Sequence, residues 1–347
     1  MKTLSIAVPS YNVEKTLDAT LSSLCLDEIV DVLDIIVVND GSTDGTTDVA
    51  ARFKLKYPDA VRVITKENGG HGSAVNTGIE AAAGAYFKVV DGDDTLEKEG
   101  FIALVKLLSG TKADMIASNY KKVTLNSTAA SEAKRFEGIE YGRVYDFEEL
   151  SSHKNIFFPM HCMTIKTSIL KDNNIRLQEH TFYVDSEFVL LPIPFINTVE
   201  FMSEYVYLYN IGLPGQSVDF AVFVKRYEDM YRVVRRLTDF AASCGAEKPQ
   251  LDYIYSGLMK LCFTNYMLAV FYDDDVKRGR VRAREFDAWL KSNSLRLYKE
   301  IDKSIYIKLL RRTNFVFLPH GKRLKATVKK VYGVFKPLFR KKQRLTY

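Results

Sequence analysis

The sequence predicts an α/β fold, a mostly parallel sheet flanked by helices, with a helical C-terminal region. Three observations point there. Short β-branched runs alternate with helically spaced segments in the first half, the order that builds an open parallel sheet covered on both faces. Beyond Ser217 the strand signals stop and one-faced helices take over. The 347 residues, 47% hydrophobic and 27% charged, are enough for about two globular domains.

Each element has its own reason. Leu4 to Val8 is an apolar run ended by Pro9, and Leu17, Leu21, Leu24 and Cys25 recur at helical spacing. Ile35 to Val38 is too short for a helix and suits a buried parallel strand. Ser42 and Thr43 are placed to cap a helix that Pro58 stops. Val61 to Thr65 reads as a strand, Ser73 to Ala83 as an Ala-rich helix, and Tyr86 to Val90 as a strand. A helix from about Leu96 to Leu108 and a strand near Asp114 to Ser118 follow. The polar stretch Lys121 to Tyr145, punctuated by Gly138 and Gly142, reads as a loop or hairpin insertion. After an apolar segment from Met163 to Leu177 come a helix from about Asp185 and a Tyr-rich strand around Tyr205 to Tyr209. Phe223, Tyr227, Met230, Val234, Leu237 and Ala241 keep one helical face for five turns, and a second helix runs from about Leu251 to Tyr272. The predicted division is 1–217, with halves 1–120 and 121–217, and a helical region 218–347 that ends in a basic amphipathic tail, 320–347.

Composition excludes several classes. The longest suggestive apolar run, Phe188 to Ile196, is far shorter than a membrane span needs. The N-terminus lacks a signal-peptide pattern. Cys25, Cys162, Cys244 and Cys262 show no CxxC spacing, so neither zinc nor a disulfide framework is indicated, and a cytoplasmic setting is expected. The net charge of +6 is unevenly spread: Lys303 to Tyr347 hold 14 Lys or Arg and no Asp or Glu, leaving residues 1–302 at a net of −8. An acidic body argues against a nucleic-acid partner.

In open α/β sheets, ligands bind beyond the carboxyl ends of the strands. Four predicted strands are followed by Pro9-Ser10-Tyr11-Asn12, Asn39-Asp40-Gly41-Ser42, Asn68-Gly69-Gly70-His71-Gly72 and Asp91-Gly92-Asp93-Asp94. Three carboxylates in four residues repel one another unless a cation or many donors sit among them. Mn²⁺ or Mg²⁺ takes one or two carboxylates and fills its remaining positions with phosphate oxygens and water. The plainer alternative is an acidic turn that caps the next helix. The glycine loop is suited to close approach by a diphosphate, although it is neither a dinucleotide fingerprint nor a P-loop.

VPSYN (8–12), VVNDGSTDGT (37–46), NGGHGSAVNTG (68–78) and VVDGDD (89–94), in this order and spacing, resemble the inverting glycosyltransferase family 2. The resemblance is strong over 3–120 and weaker over 160–217. It implies a GT-A type fold and transfer of a sugar from a nucleoside diphosphate sugar, a UDP-sugar by preference. The acceptor it implies is a hydroxyl of a glycan or lipid-linked molecule in cell-surface polysaccharide synthesis. By that resemblance Pro9 and Tyr11 line the nucleotide pocket, Asp40 contacts the base, and Gly70 and His71 lie near the diphosphate. Asp91 points to the ribose and Asp93 to the metal, with Asp91 and Asp94 as further candidate ligands. Asp185 matches the catalytic base, although Val184 replaces the family's glutamate, which keeps Glu187 as a competitor. Gln216, in Gly212-Leu213-Pro214-Gly215-Gln216-Ser217, matches the segment that closes over the donor. The Gln-x-x-Arg-Trp motif of processive relatives is absent, Trp289 being the only tryptophan, which implies one sugar per encounter.

Two other readings compete. A sugar-nucleotide pyrophosphorylase needs G-x-G-[ST]-R after the first strand, where Pro9-Ser10-Tyr11-Asn12 stands instead. A non-catalytic, membrane-associated interaction protein does not require Asp40, Asp91, Asp93 and Asp185 together. In the tail, Leu324, Val328, Val331, Phe335 and Leu338 form an apolar stripe among lysines and arginines, which predicts peripheral attachment to an anionic membrane surface.

Overall fold

The structure, a computed structural model, describes residues 2–124, 127–153, 156–211 and 220–316. The tail 320–347 and the 212–217 segment, with Gln216, lie outside the described residues. The chain divides into two compact units, Met1–Glu149 with Phe158–Ser217, and Leu150–Phe157 with Val218–Tyr347.

In the first unit, β1 (Leu4–Ser10), β2 (Leu33–Asn39), β3 (Val61–Thr65) and β4 (Tyr86–Val89) are linked by α1 (Glu14–Leu24), α2 (Thr46–Lys56) and α3 (His71–Ala81). Then come β5 (Thr95–Leu96), α4 (Lys98–Leu108), β6 (Met115–Thr124), β7 (Ser127–Lys134), β8 (Val144–Asp146) and the first half of α5 (Phe147–Ser152), whose residues from Leu150 belong to the second unit. The unit continues with β9 (Met163–Lys166), α6 (Thr167–Asp172), α7 (Asp185–Leu190) and β10 (Thr198–Ile211). The sheet order is β3-β2-β1-β4-β9-β6-β10-β5, with β7 on β6 and β8 on β10. β3, β2, β1 and β4 are mutually parallel, as expected, and β10 is parallel to β6. β9 runs antiparallel to both β4 and β6, so the sheet is mixed beyond β4. The expected insertion after Lys121 is a hairpin of β6 and β7.

Every residue of β1 and β2 is buried, which is why both read as unbroken apolar runs. Asp34 is the one charged residue in them, and it is fully bonded. Its carboxylate accepts from the Ser5 hydroxyl (2.6 Å), the Ala83 amide (3.0 Å) and both arms of Arg62 (2.8 and 2.9 Å). Lys88 on β4 is also fully buried; its ammonium donates to the His161 carbonyl at 2.7 Å and lies 5.6 Å from the Tyr207 ring centre. Burial pulls its pKa down to about 8.

Two helix starts differ from expectation. α2 begins at Thr46, because Ser42 and Thr43 bond across to the first rim loop: Asn12 N donates to Ser42 Oγ (3.1 Å) and Thr43 N to Asn12 Oδ1 (2.8 Å). α3 begins at His71, which places that side chain on the first helical turn rather than in the loop.

The second unit is helical: α8 (Phe220–Lys225), α9 (Tyr227–Ser243), α10 (Lys248–Met267), α11 (Val276–Asn293), α12 (Leu295–Ile301) and α13 (Ile305–Arg312). The expected five-turn face is interrupted at Arg226, beyond which buried Tyr227 seats beneath the Arg282 guanidinium of α11 at 4.5 Å. α10 continues as a π-helical turn to Tyr272. Lys248–Tyr272 is long and apolar enough to cross a membrane by length and composition, and half of its apolar window is buried inside the structure.

Lys88→Met should remove a pH dependence of stability. Lys88 loses its proton near pH 8 when folded and near 10.5 when unfolded, so between those values the unfolded chain holds more protons and stability rises with pH. Denaturant melts at about pH 7 and about pH 10 should show wild type gaining on the variant by up to about 3 kcal/mol. Equal shifts in both proteins would contradict the buried-lysine assignment.

Candidate functional site

The polar loops beyond β1 to β4 converge, and each is held by bonds from elements distant in sequence. The turn after β4 is the most constrained. Gly92 N donates to the Pro9 carbonyl at 3.2 Å, while the Gly92 carbonyl accepts the hydroxyls of Thr16 (2.9 Å) and Thr20 (3.1 Å) from α1. A Cβ at position 92 would come within 3.0 Å of Val13 and 3.1 Å of the Pro9 oxygen, so this close approach favours glycine. Asp94 is buried, and β10 engages both its oxygens: Asn210 N donates to one and Tyr207 Oη to the other, each at 2.7 Å. Asn210 Nδ2 donates to the Asp93 carbonyl (2.6 Å), and Asp91 N donates to Tyr207 Oη (3.2 Å). Burial, reinforced by the charges of Asp91 and Asp93, pushes the Asp94 carboxyl well above the usual range. Asp91 and Asp93 are only partly buried.

Asp40 organises the glycine loop. Its carboxylate is nearly inaccessible and accepts from Lys66 Nζ (3.0 Å), Gly69 N (2.9 Å) and Gly70 N (2.8 Å). Gly70 has φ +83°, the left-handed region that favours glycine. The Gly69 and Gly70 amides are thus turned towards Asp40, and Gly70 leads directly into α3. His71 Nε2 lies 2.8 Å from Asp91 Oδ1 and joins this loop to the β4 turn. Burial opposes charge on His71, but Asp91, with Asp185 and Asp93 beyond it, outweighs that effect and raises its pKa. Burial acts against the Asp91 carboxylate too, and His71 reverses it, lowering the Asp91 pKa.

The loop that precedes α7 meets the glycine loop through His180 N, which donates to the Gly69 carbonyl at 2.5 Å. His180 (φ +50°) and Tyr183 (φ +67°) are both left-handed non-glycine residues, a strained path that leads into α7. Asp185 opens that helix and is solvent-exposed. The protein around it nevertheless removes enough hydration to raise its carboxyl, with His71 pulling the other way. Glu187 is fully buried, and its oxygens accept from Gln178 N (2.8 Å) and Gln178 Nε2 (2.5 Å).

The structure therefore gathers Asp40, Gly70, His71, Asp91, Asp93 and Asp185 into one linked set. Pro9 is buried and holds Gly92, while Tyr11 stands exposed beside the Asn12–Thr43 contact. Asp94 and Glu187 are committed to internal bonds. Sequence reasoning missed Lys66, Tyr207 and Asn210. Lys66 directly follows β3 and was within reach of the strand-end rule; the other two act from more than a hundred residues away. For a metal, no three His, Cys, Asp or Glu side chains form a ready cage among the described residues. The partly exposed Asp91 and Asp93 at one strand end do fit a hard cation that takes one or two carboxylates.

Residues 5–173 match the family described as Glycosyl transferase family 2. The uncharacterized glycosyltransferase EpsJ of Bacillus subtilis is 38% identical over 119 residues, 34% of each chain. The Staphylococcus aureus poly(ribitol-phosphate) beta-N-acetylglucosaminyltransferase TarS is 24% identical over 267 residues, 76% of this chain and 45% of TarS. The match thus spans about a third to a half of these relatives' length. The structure of TarS 1–349 with UDP-GlcNAc superposes with a TM-score of 0.59 at 18% identity, covering 89% of this chain and 92% of that one. The mannosyltransferase PcManGT of Pyrobaculum calidifontis, in complex with GDP-Man and Mn²⁺, gives 0.55 at 15% identity, covering 97% and 86%. These likenesses establish the GT-A type fold.

The His71–Asp91 pair can be read directly by NMR titration of the imidazole. Its pKa should lie above 6.5 in wild type, so the charged pair contributes stability that is complete below the unfolded imidazole value while Asp91 stays ionised, and that is lost as pH rises through the folded value. Asp91→Asn should lower the His71 pKa, because burial is then less opposed. An unchanged midpoint would contradict the pairing.

Proposed function

We propose that this chain, which belongs through residues 5–173 to glycosyl transferase family 2, transfers a sugar from a nucleoside diphosphate to a hydroxyl acceptor with inversion. The observation that carries this is the bridge His71 makes between the glycine loop and the Asp91–Asp93 turn, with Asp185 in electrostatic reach of the same imidazole. UDP-GlcNAc bound to TarS supports a UDP-sugar donor, and the name of TarS supports a glycan acceptor in cell-surface polysaccharide synthesis.

The chain's own residues supply the steps. Tyr11, exposed beyond β1, offers a ring for the base. The first-turn amides of α3, at the positive end of its dipole, face the diphosphate together with His71. Asp93, with Asp91, would hold Mn²⁺ or Mg²⁺, whose charge favours departure of the diphosphate; Mn²⁺ in the PcManGT complex supports that choice. Asp185 takes the acceptor hydroxyl's proton as oxygen attacks the anomeric carbon, and its raised carboxyl makes it a better base than an ordinary aspartate. Glu187, with its oxygens engaged by Gln178, instead braces the loop that leads to Asp185. Attack opposite the leaving group inverts the centre in one displacement. The missing Gln-x-x-Arg-Trp motif supports one sugar per encounter, and the basic tail supports peripheral placement on the inner face of the membrane.

Release of UDP from UDP-GlcNAc, with Mn²⁺ and with chelator, tests the proposal. Asp185→Asn should leave donor affinity near wild type and lower turnover by about 10²-fold or more. Asp93→Ala should abolish the Mn²⁺ dependence of donor binding while the fold persists. Undiminished turnover in either variant contradicts the role given to that residue.

A further inference from the structure

We propose that α13 and the segment just after it form a docking face for an anionic membrane surface. This deepens the peripheral placement proposed above and rests on it. At about 100° per residue, Ile305, Lys308, Leu309 and Arg312 share one side of α13. All four are exposed, Ile305 by 75% and Leu309 by 45%, and Val316 beyond the helix is exposed by 54%. Ile307 and Leu310 on the opposite side are fully buried. Two apolar side chains flanked by two cations suit an interface where hydrocarbon lies beneath anionic headgroups.

The face is presented rigidly. Arg311, on the inner side, donates to Asp287 (2.7 Å) and Asp302 (3.0 Å). After the helix, Arg280 donates to the Phe315 carbonyl (3.1 Å) and Arg284 to the Asn314 carbonyl (3.0 Å), while Phe315 is buried with its ring parallel to that of Tyr266. Val316 is therefore held at the edge of the same surface.

Charge decides the occupant. From Lys303 to Tyr347 the chain has 14 Lys or Arg and no carboxylate side chain. The acids that precede this stretch in sequence, Glu300 and Asp302, already pair with Lys303 and Arg311, and Asp287 pairs with Arg311 as well. The chain's own basic tail would meet like charge at Lys308 and Arg312, whereas anionic headgroups complement both.

Flotation of the full-length protein with phosphatidylcholine vesicles, with and without phosphatidylglycerol, tests this. Wild type should bind only the anionic vesicles, and less as salt increases. Ile305→Ser with Leu309→Ser should weaken partitioning by about tenfold or more. Lys308→Gln with Arg312→Gln should weaken it severalfold and flatten the salt dependence. Leu55→Ser should have no effect, although Leu55 is 81% exposed between two lysines. If wild type binds anionic vesicles and the Ile305/Leu309 variant binds equally, this inference fails while peripheral placement stands. If wild type does not bind at low salt, both fail. A fall in the variant's melting temperature with unchanged partitioning would mean that the protein itself covers this face, which also overturns the inference.

Discussion

Asp91, Asp93 and Asp94 leave β4 within four residues of one another, and their mutual repulsion has to be offset for the turn to exist. The first unit offsets it from three directions. α1 and the Pro9 carbonyl fix Gly92. β10 delivers Tyr207 and Asn210 to Asp94. α3 brings His71 to Asp91. The result is a graded set: Asp94 is driven towards its neutral form, Asp91 is stabilised as an anion, and Asp93 remains partly exposed beside them. One strand end thereby separates a structural carboxyl from two that can face a ligand.

The same economy operates at Asp40. An isolated buried carboxylate would be costly, but here it gathers Lys66 and two consecutive amides, shaping the glycine loop and directing its helix. The loop that precedes α7 then joins at Gly69 through His180. The glycine loop and the loop that leads to α7 are therefore coupled through these bonds, and a substitution at Asp40 should disturb Asp185 as well as the glycine loop.

Local pattern made the rim legible. β1 to β4 announce themselves because strands buried on both faces must be continuously apolar, and the polar residues that follow them are necessarily at the sheet's edge. Three things were not legible. Ser42 and Thr43 carry a cap signature, yet their bonds go to Asn12, thirty residues earlier, and α2 starts later. β9 runs against β4, which no short window encodes. Tyr207 and Asn210 stand out only as part of a Tyr-rich strand, since their meaning lies in a turn more than a hundred residues away. Glu187 competed with Asp185 because Val184 replaces the family's glutamate, and only the fold shows Glu187 buried with its oxygens bonded to Gln178.

The central claim is that β10 holds the Asp91–Asp94 turn in the geometry that binds the donor. Tyr207→Phe tests it most directly, because it deletes one hydroxyl and keeps the ring. Calorimetric titration of the folded variant with UDP and Mn²⁺ should show affinity weakened by about tenfold, the loss of about 1–2 kcal/mol expected for a hydrogen bond to a carboxyl group. Wild-type affinity in that variant would contradict the account.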